Sequence, residues 1–186
     1  MSSDLRRPKQ AVLDQAGIRI LRELEEDGRL SYTDLAERVG LSKTPCWKRV
    51  QDLEAAGIIQ GYRAVLDPGR LGLEHTVFVN VTLELGHQET FEAAVVAHPL
   101  VLECHTTAGA SDYLLRVAVG SVVDLDRLLR EELRNLPGVQ RLSSLICLKP
   151  IKKAASLAAA ADVAIRTRVG SGVRRNSRTE QGQPIR

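Results

Sequence analysis

Residues 31–59 read SYTDLAERVGLSKTPCWKRVQDLEAAGII, and this stretch decides how the N-terminal part of the chain folds. Ser31 is followed three residues later by Asp34, a variant of the capping box that starts a helix. Gly40 can adopt the positive φ that ends that helix, and Ser42 can begin the next one. The stretch therefore predicts two short neighbouring helices joined by a tight turn.

The second helix is predicted to have a buried face and an outward face. Cys46, Val50 and Leu53 recur at spacings of four and three, so they share one face, which we expect to be buried. Pro45 fits the first helical turn, where its missing N–H has no intrahelical partner. The outward face carries hydrogen-bonding groups and a cation near a helix N-terminus suited to phosphate, namely Thr44, Trp47, Lys48 and Gln51.

Two flanking segments extend this pattern. Residues 14–28 carry an apolar stripe at helical spacing, which predicts a preceding helix. Residues 58–67 alternate Tyr62, Ala64 and Leu66 on one side, which predicts a small hairpin or wing. Three helices and a wing form a winged helix-turn-helix, in which the second helix of the pair enters the DNA major groove.

DNA binding competes with a plainer interpretation, a helical hairpin in a bundle with Lys43, Lys48 and Arg49 on a solvated face. The outward Trp47 favours DNA binding, because an unbound helix gains little by exposing it. The predicted helix-turn-helix spans residues 32–51. The predicted DNA contacts are Ser42, Lys43, Thr44, Trp47, Lys48, Arg49, Gln51 and Arg63.

The run DGRLSYTDLAERVGLSKTPCWKRVQDLEAAGIIQGYRAVLDP resembles the DNA-binding domain of the Lrp/AsnC family of bacterial and archaeal transcription factors. The resemblance extends over about residues 13–151. It implies a sequence-specific regulator that controls genes of amino-acid metabolism or transport in response to a small effector such as an amino acid. It also implies double-stranded DNA and further copies of the chain, as a dimer or a higher even-numbered oligomer, as partners.

The second half shows the order βαββαβ. Residues 75–84 alternate apolar and polar side chains, as in a half-buried strand. Strand and helix patterns then follow in turn, which predicts a ferredoxin-like sheet with helices on one face and makes the whole chain α+β. Phe78 falls on the sheet face opposite Val77 and Val79. It is either covered by a partner subunit or a lone exposed aromatic.

The resemblance also points to an effector site in the turn between the second and third strands, which in the family typically reads Gly-Asp-aromatic-Asp. Here the turn reads Gly109-Ala110-Ser111-Asp112. Gly109 and Asp112 match and are the predicted effector-binding residues, whereas the carboxylate at Ala110 is missing. That loss weakens salt-linked recognition of an α-amino group. The alternative is that both residues simply shape the turn.

Charge separates the C-terminal segment from the rest. Residues 152–186 hold eight Lys or Arg against two acidic residues, a net +6 in a chain whose total is +3.

We predict an N-terminal arm at residues 1–12, a winged helix-turn-helix domain at 13–74 and a dimerisation and effector-sensing domain at 75–151. Residues 152–186 are predicted to be an Ala-rich, then basic tail, disordered from residue 169. Such a tail could be a phosphate tether or inert.

Other classes of function find little support in the residues. Cys46, Cys104 and Cys147 are isolated, so neither zinc nor disulfides are indicated, and we expect no cofactor beyond a possible amino-acid effector. No nucleophile-base pair or phosphate loop suggests an enzyme. No apolar run predicts a membrane span or a signal peptide, so we expect a cytoplasmic, nucleoid-associated protein. Two alternatives stay open, an architectural DNA-bridging protein and a metabolite-binding module or enzyme.

Overall fold

The structure is a computed structural model that describes residues 13–153 and 155–175. It divides into two compact units: one joins the chain up to Ala64 with the segment from Lys152, and the other is Val65–Ile151. The predicted domain boundary at residues 74 and 75 therefore falls later than the boundary between the units. The predicted N-terminal arm, residues 1–12, lies outside the described residues.

The first unit begins with three short helices, α1 (Gln15–Glu26), α2 (Tyr32–Val39) and α3 (Lys43–Ala55). Ser31 caps α2 as predicted, since its hydroxyl accepts a 3.2 Å bond from the Asp34 N–H. Gly40 ends α2 with φ at 70°, a conformation that a side chain disfavours. These local signals place α2 and α3 in contact, as a helix-turn-helix requires.

A single apolar cluster holds the three helices together. α1 contributes Ile20, α2 contributes Leu35 and Val39, and α3 contributes Cys46 and Val50, all of them buried. Leu53 completes the predicted buried face of α3. The outward residues of α3 are therefore fixed by what the opposite face must bury.

The predicted hairpin after α3 is wrong in its local structure, because residues 60–67 form neither helix nor strand. Tyr62 instead donates its hydroxyl to a carboxylate oxygen of Glu54 at 2.9 Å, which holds this segment beside the end of α3. Ala64 and Leu66, which set the alternating pattern, are exposed and have no sheet to cover. Period-two alternation without a partner strand did not produce a strand.

A sixth helix, α6 (Leu157–Arg175), packs against α1 in the first unit. The helix overlaps the segment predicted to be disordered from residue 169, and that disorder stays a prediction; residues 176–186 lie outside the described residues. Alanines give the segment high helix propensity and a close-packing face. Glu25 of α1 satisfies the free N–H groups at its start, so α6 has both a packing surface and a cap.

The second unit has the predicted order βαββαβ. Its elements are β1 (His75–Leu83), α4 (Gln88–Ala97), β2 (Val101–Thr106), β3 (Tyr113–Val119), α5 (Val122–Arg127) and β4 (Val139–Ile146). The strands form one antiparallel sheet in the order β2-β3-β1-β4. A π turn (Leu128–Glu132) and a 3-10 turn (Leu133–Asn135) continue α5, so the helical segment changes its winding after Arg127.

Helices cover one face of this sheet. Val77, Val79 and Val81 of β1 lie in the same buried cluster as Phe91 of α4 and Leu125 of α5. Each of these strand residues alternates with a half-buried neighbour on the other face. None of the helices in the described part of the chain is long and apolar enough to span a membrane.

Candidate nucleic-acid interface and ligand turn

α3 presents the outward face that the sequence predicts. Ser42 is the residue before its first turn, in extended conformation, and its side chain makes no capping bond to the helix. Cys46 is fully buried in the cluster, and burial raises the pKa of its thiol. The opposite face is exposed and carries Lys43, Thr44, Trp47, Lys48 and Gln51.

Trp47 is the most informative of these residues. Its side chain is 48% exposed, although it lies on a helix whose other large apolar residues are buried. An indole offers apolar area and one hydrogen-bond donor, which suits contact with sugars and thymine methyl groups. Thr44 and Lys48 flank it at helical spacing, so a hydroxyl, an indole and a cation point away from the protein together.

Arg49 differs from the other predicted contacts because it is half-buried and engaged within the protein. Its guanidinium donates to both carboxylate oxygens of Asp14, at 3.0 and 2.8 Å. Asp14 also caps α1 by accepting the Gly17 N–H at 2.8 Å. That backbone bond, and then the bond from Arg49, holds the pKa of the Asp14 carboxyl below its usual range. Arg49 thus joins α3 to the start of α1.

Glu54, which sequence reasoning missed, organises the end of the outward face. It accepts a bond from the Gln51 side chain at 2.9 Å and one from the Tyr62 hydroxyl at 2.9 Å. Burial first, and then this carboxylate, raises the pKa of Tyr62 to about 12. Arg63 follows directly and is exposed in the irregular segment, where a cation can reach a phosphate.

The predicted effector turn is held firmly to the sheet. A carboxylate oxygen of Asp112 accepts the Leu83 N–H at 2.8 Å, and the Asp112 N–H donates to the Val81 carbonyl at 2.9 Å. Asp112 therefore has a structural function in joining the turn to β1. Gly109 has no left-handed φ, and a side chain there would meet nothing within 4 Å. The position tolerates a side chain, so the turn itself does not need this glycine.

A cleft of about 440 Å³ lies between α4 and the β2–β3 edge, a place the sequence did not suggest. Tyr113 donates its hydroxyl to Glu92 there at 2.7 Å, and this bond is the largest cause that raises the pKa of Tyr113 to about 12. Cys104 and His105 also line it. In the described residues, no group of His, Cys, Asp and Glu has the arrangement to hold a metal ion.

Comparisons with known proteins match the two parts of the chain to two families. Residues 13–60 match a family described as winged helix-turn-helix DNA-binding, and residues 76–157 match the Lrp/AsnC ligand binding domain. The proline dehydrogenase transcriptional activator of Rhizobium radiobacter is 42% identical over 144 residues, which is 76% of this chain and 92% of that protein. The leucine-responsive regulatory protein of Escherichia coli strain K12 is 42% identical over 76% of this chain and 88% of its own length.

A solved structure shows the same architecture. A transcriptional regulator from Neisseria meningitidis, described as a complex with L-Met, superposes with a TM-score of 0.76 at 37% identity, covering 78% of this chain and 96% of that one. Fold and exposed α3 face thus define a two-domain transcriptional regulator with a DNA-binding and a ligand-binding part. The chain belongs to the Lrp/AsnC family. The predicted family, fold class and regulatory function are confirmed.

Proposed function

We propose that α3 reads operator DNA through Thr44, Trp47 and Lys48, with Ser42, Lys43 and Gln51 at the margins of the contact. The observation that supports this proposal most strongly is the exposed Trp47, which lies between the hydroxyl of Thr44 and the cation of Lys48. The helix that carries it falls within the match to a DNA-binding domain. Arg63 supports this contact from the irregular segment by binding phosphate. Arg49 has a different function, since Asp14 already binds its guanidinium.

The reading face is tested by exchanging Thr44, Trp47 and Lys48 together for alanine. All three side chains are exposed, so the fold should be retained, as circular dichroism can verify. The full-length variant should lose its preference for a duplex selected from a random pool over a scrambled duplex of the same length. A retained preference in the folded variant contradicts the assignment.

Lys48 and Arg49 offer a matched pair of single substitutions, because Lys48→Gln and Arg49→Gln each remove one cation from α3. Lys48→Gln should weaken DNA binding and leave the unfolding midpoint unchanged. Arg49→Gln should lower the unfolding midpoint, because it leaves Asp14 without its partner. Equal effects of both variants on binding and on stability would contradict the separate functions.

The sheet face opposite the helices is the proposed contact with a second copy of the chain. On this face Phe78 of β1 pairs with Leu145 of β4, and Leu114 of β3 lies one strand away. Leu145 is 61% exposed, and its neighbour Phe78 is half-buried. An exposed leucine beside a phenylalanine on a sheet face that no helix covers supports an interaction site there. Sedimentation of Leu145→Glu should show smaller particles than the wild type, and an unchanged mass contradicts the proposal.

For the ligand-binding domain we propose a free amino acid as effector, bound near Asp112 at the β2–β3 turn. The family match to a ligand-binding domain supports this, as does the Neisseria relative described with L-Met. Asp112 can take an ammonium group only with the carboxylate oxygen that Leu83 does not occupy. Such an effector alters expression of amino-acid metabolism or transport genes, on chromosomal DNA in the cytoplasm.

The effector proposal is tested by measuring DNA affinity and assembly of the full chain with a panel of amino acids. Asp112→Asn keeps an oxygen that can accept the Leu83 N–H but removes the charge, so it should abolish the response without unfolding the domain. Asp112→Ala removes both functions and serves as the comparison. A wild type whose affinity and assembly no amino acid changes would instead be an architectural DNA-bridging protein.

A further inference from the structure

The turn between β2 and β3 leans over the sheet face that the helices leave open. Ser111 donates its hydroxyl to the Oδ1 atom of Asn80 at 3.2 Å. Asn80 lies on the open face of β1, because the residues on either side of it in the strand are buried in the core. Beyond β1, Arg141 of β4 donates to the Ala110 carbonyl at 3.4 Å. The turn therefore reaches from β3 across β1 to β4.

The register of the sheet places Arg141 on the same face as Asn80. Arg141 lies directly opposite Thr82 of β1, and Thr82 is two residues after Asn80. Alternate residues of a strand share a face, and so do residues that lie opposite each other in an antiparallel pair. Thr82 is half-buried and Arg141 is exposed. These three side chains line one end of the open face, next to the turn.

Hydrogen-bond donors dominate this end of the sheet. The Arg141 guanidinium carries five N–H groups, and the Asn80 amide offers its NH₂ group because its oxygen already accepts Ser111. Thr82 adds a hydroxyl. Within the part of the chain that the structure describes, Arg141 has no carboxylate partner, and its bond to the Ala110 carbonyl is long. A cation and neutral donors without an anion fit a carboxylate.

Asp112 supplies the opposite charge on the other side of β1. Its N–H donates to the Val81 carbonyl, and one carboxylate oxygen accepts the Leu83 N–H, which leaves the second oxygen for a ligand. The strands on the two sides of β1 are about 10 Å apart. The Arg141 side chain shortens this gap, because it extends back to Ala110, two residues before Asp112. A cation and an anion thus flank one turn, as recognition of a zwitterion requires.

We propose that Arg141 binds the carboxylate of the amino-acid effector, with Asn80 and Thr82 as neutral donors to the same group, while Asp112 takes the ammonium group. The inference deepens the effector proposal and rests on it. The carboxylate end of the effector meets a free guanidinium, whereas the ammonium end meets one oxygen of a carboxylate that the fold already uses. Binding should therefore depend more on the carboxylate of the effector than on its ammonium group.

The test measures binding of small molecules to the full chain by calorimetry. The probes are the protein amino acids and, for each one that binds, its carboxamide and its desamino carboxylic acid. The wild type should bind the carboxamide about tenfold more weakly than the amino acid, and the desamino acid should lose less. Arg141→Gln should bind the amino acid about tenfold more weakly and show no preference for it over the carboxamide.

Arg134→Gln is the matched control, since Arg134 is also exposed but lies in the 3-10 turn and not in the sheet. It should keep the wild-type preference for the amino acid over the carboxamide. Circular dichroism verifies that both variants keep their fold.

An Arg141→Gln chain that still prefers the amino acid overturns the inference, and so does an equal loss of preference in Arg134→Gln. Smaller particles of Arg141→Gln without any amino acid would also overturn it, because Arg141 would then bind a carboxylate of a second copy. A wild type that binds no amino acid refutes the effector proposal and this inference together. Binding by the wild type with an unaltered preference in Arg141→Gln refutes this inference alone.

Discussion

Removal of α6 should change how much the buried residue Ile18 contributes to the free energy of unfolding. Ile18 is 1% exposed, yet it lies outside the apolar cluster that contains Ile20. It falls on the stripe of α1 defined by Gln15, Arg22 and Glu25, all of which contact α6. We therefore expect α6 to be the element that buries Ile18.

The expected magnitude follows from this burial. Ile18→Ala in the full chain should cost about 3 kcal/mol, the usual range for a large-to-small change in a packed interior. In a chain that lacks residues 152–186, Ile18 is already in contact with water, and the same change should cost about 1 kcal/mol or less. The two perturbations should therefore couple by about 2 kcal/mol. Ile20→Ala is the matched control, because Ile20 faces the other cluster and should cost the same in both chains.

The assay is urea unfolding of the four chains and the two controls, followed by fluorescence and circular dichroism. The chain has one tryptophan, Trp47, and it lies on α3, so its fluorescence reports the DNA-binding unit. An equal cost of Ile18→Ala in the long and short chains would refute the reasoning. It would show that α1, α2 and α3 bury Ile18 without α6.

Two further predictions concern a glycine and a carboxylate. Gly138 has φ at 72° and a side chain there would overlap His87, whereas Gly86 has φ at 91° and open space around it. Gly86→Ala should cost about 1 kcal/mol and Gly138→Ala clearly more, as thermal unfolding can show; equal costs would remove the overlap as a cause. The Gly17 N–H and then Arg49 lower the pKa of the Asp14 carboxyl from its ordinary value of 3.8. The contribution of this carboxylate to the stability of the fold is therefore complete above pH 3.8 and is lost as pH falls through the lowered pKa. The stability difference between wild type and Asp14→Asn should shrink below about pH 4, and a constant difference would contradict this.

Local signals explain why the helix-turn-helix could be predicted in detail. Ser31 and Gly40 act on their immediate neighbours, and both adopt the predicted capping and left-handed conformations. Cys46, Val50 and Leu53 are buried as predicted, because helical spacing alone was enough to assign them to one apolar face. The outward face of α3 follows from the same geometry, so its exposed residues were predictable from sequence.

Long-range partners explain what was missed. The pairing of Arg49 with Asp14 could not be predicted because Asp14 lies 35 residues earlier, beyond the reach of any helical spacing. Docking of α6 depends on bonds between residues 131 to 147 positions apart. The expected hairpin failed for the opposite reason, since alternation around Tyr62 was a local pattern with no strand to pair with. Such contacts depend on tertiary structure, which residue spacing does not contain.

The attachment of α6 to α1 makes the order of synthesis matter. The ribosome completes the entire ligand-binding domain, residues 65–151, before the partner of Gln15 and Glu25 exists. A nascent chain can form α1, α2 and α3 early, but one side of α1 stays uncovered until residue 162 has emerged. Chains that stop prematurely therefore carry a less stable DNA-binding unit and are better substrates for proteolysis. α6 thus couples the integrity of the first domain to completion of the second.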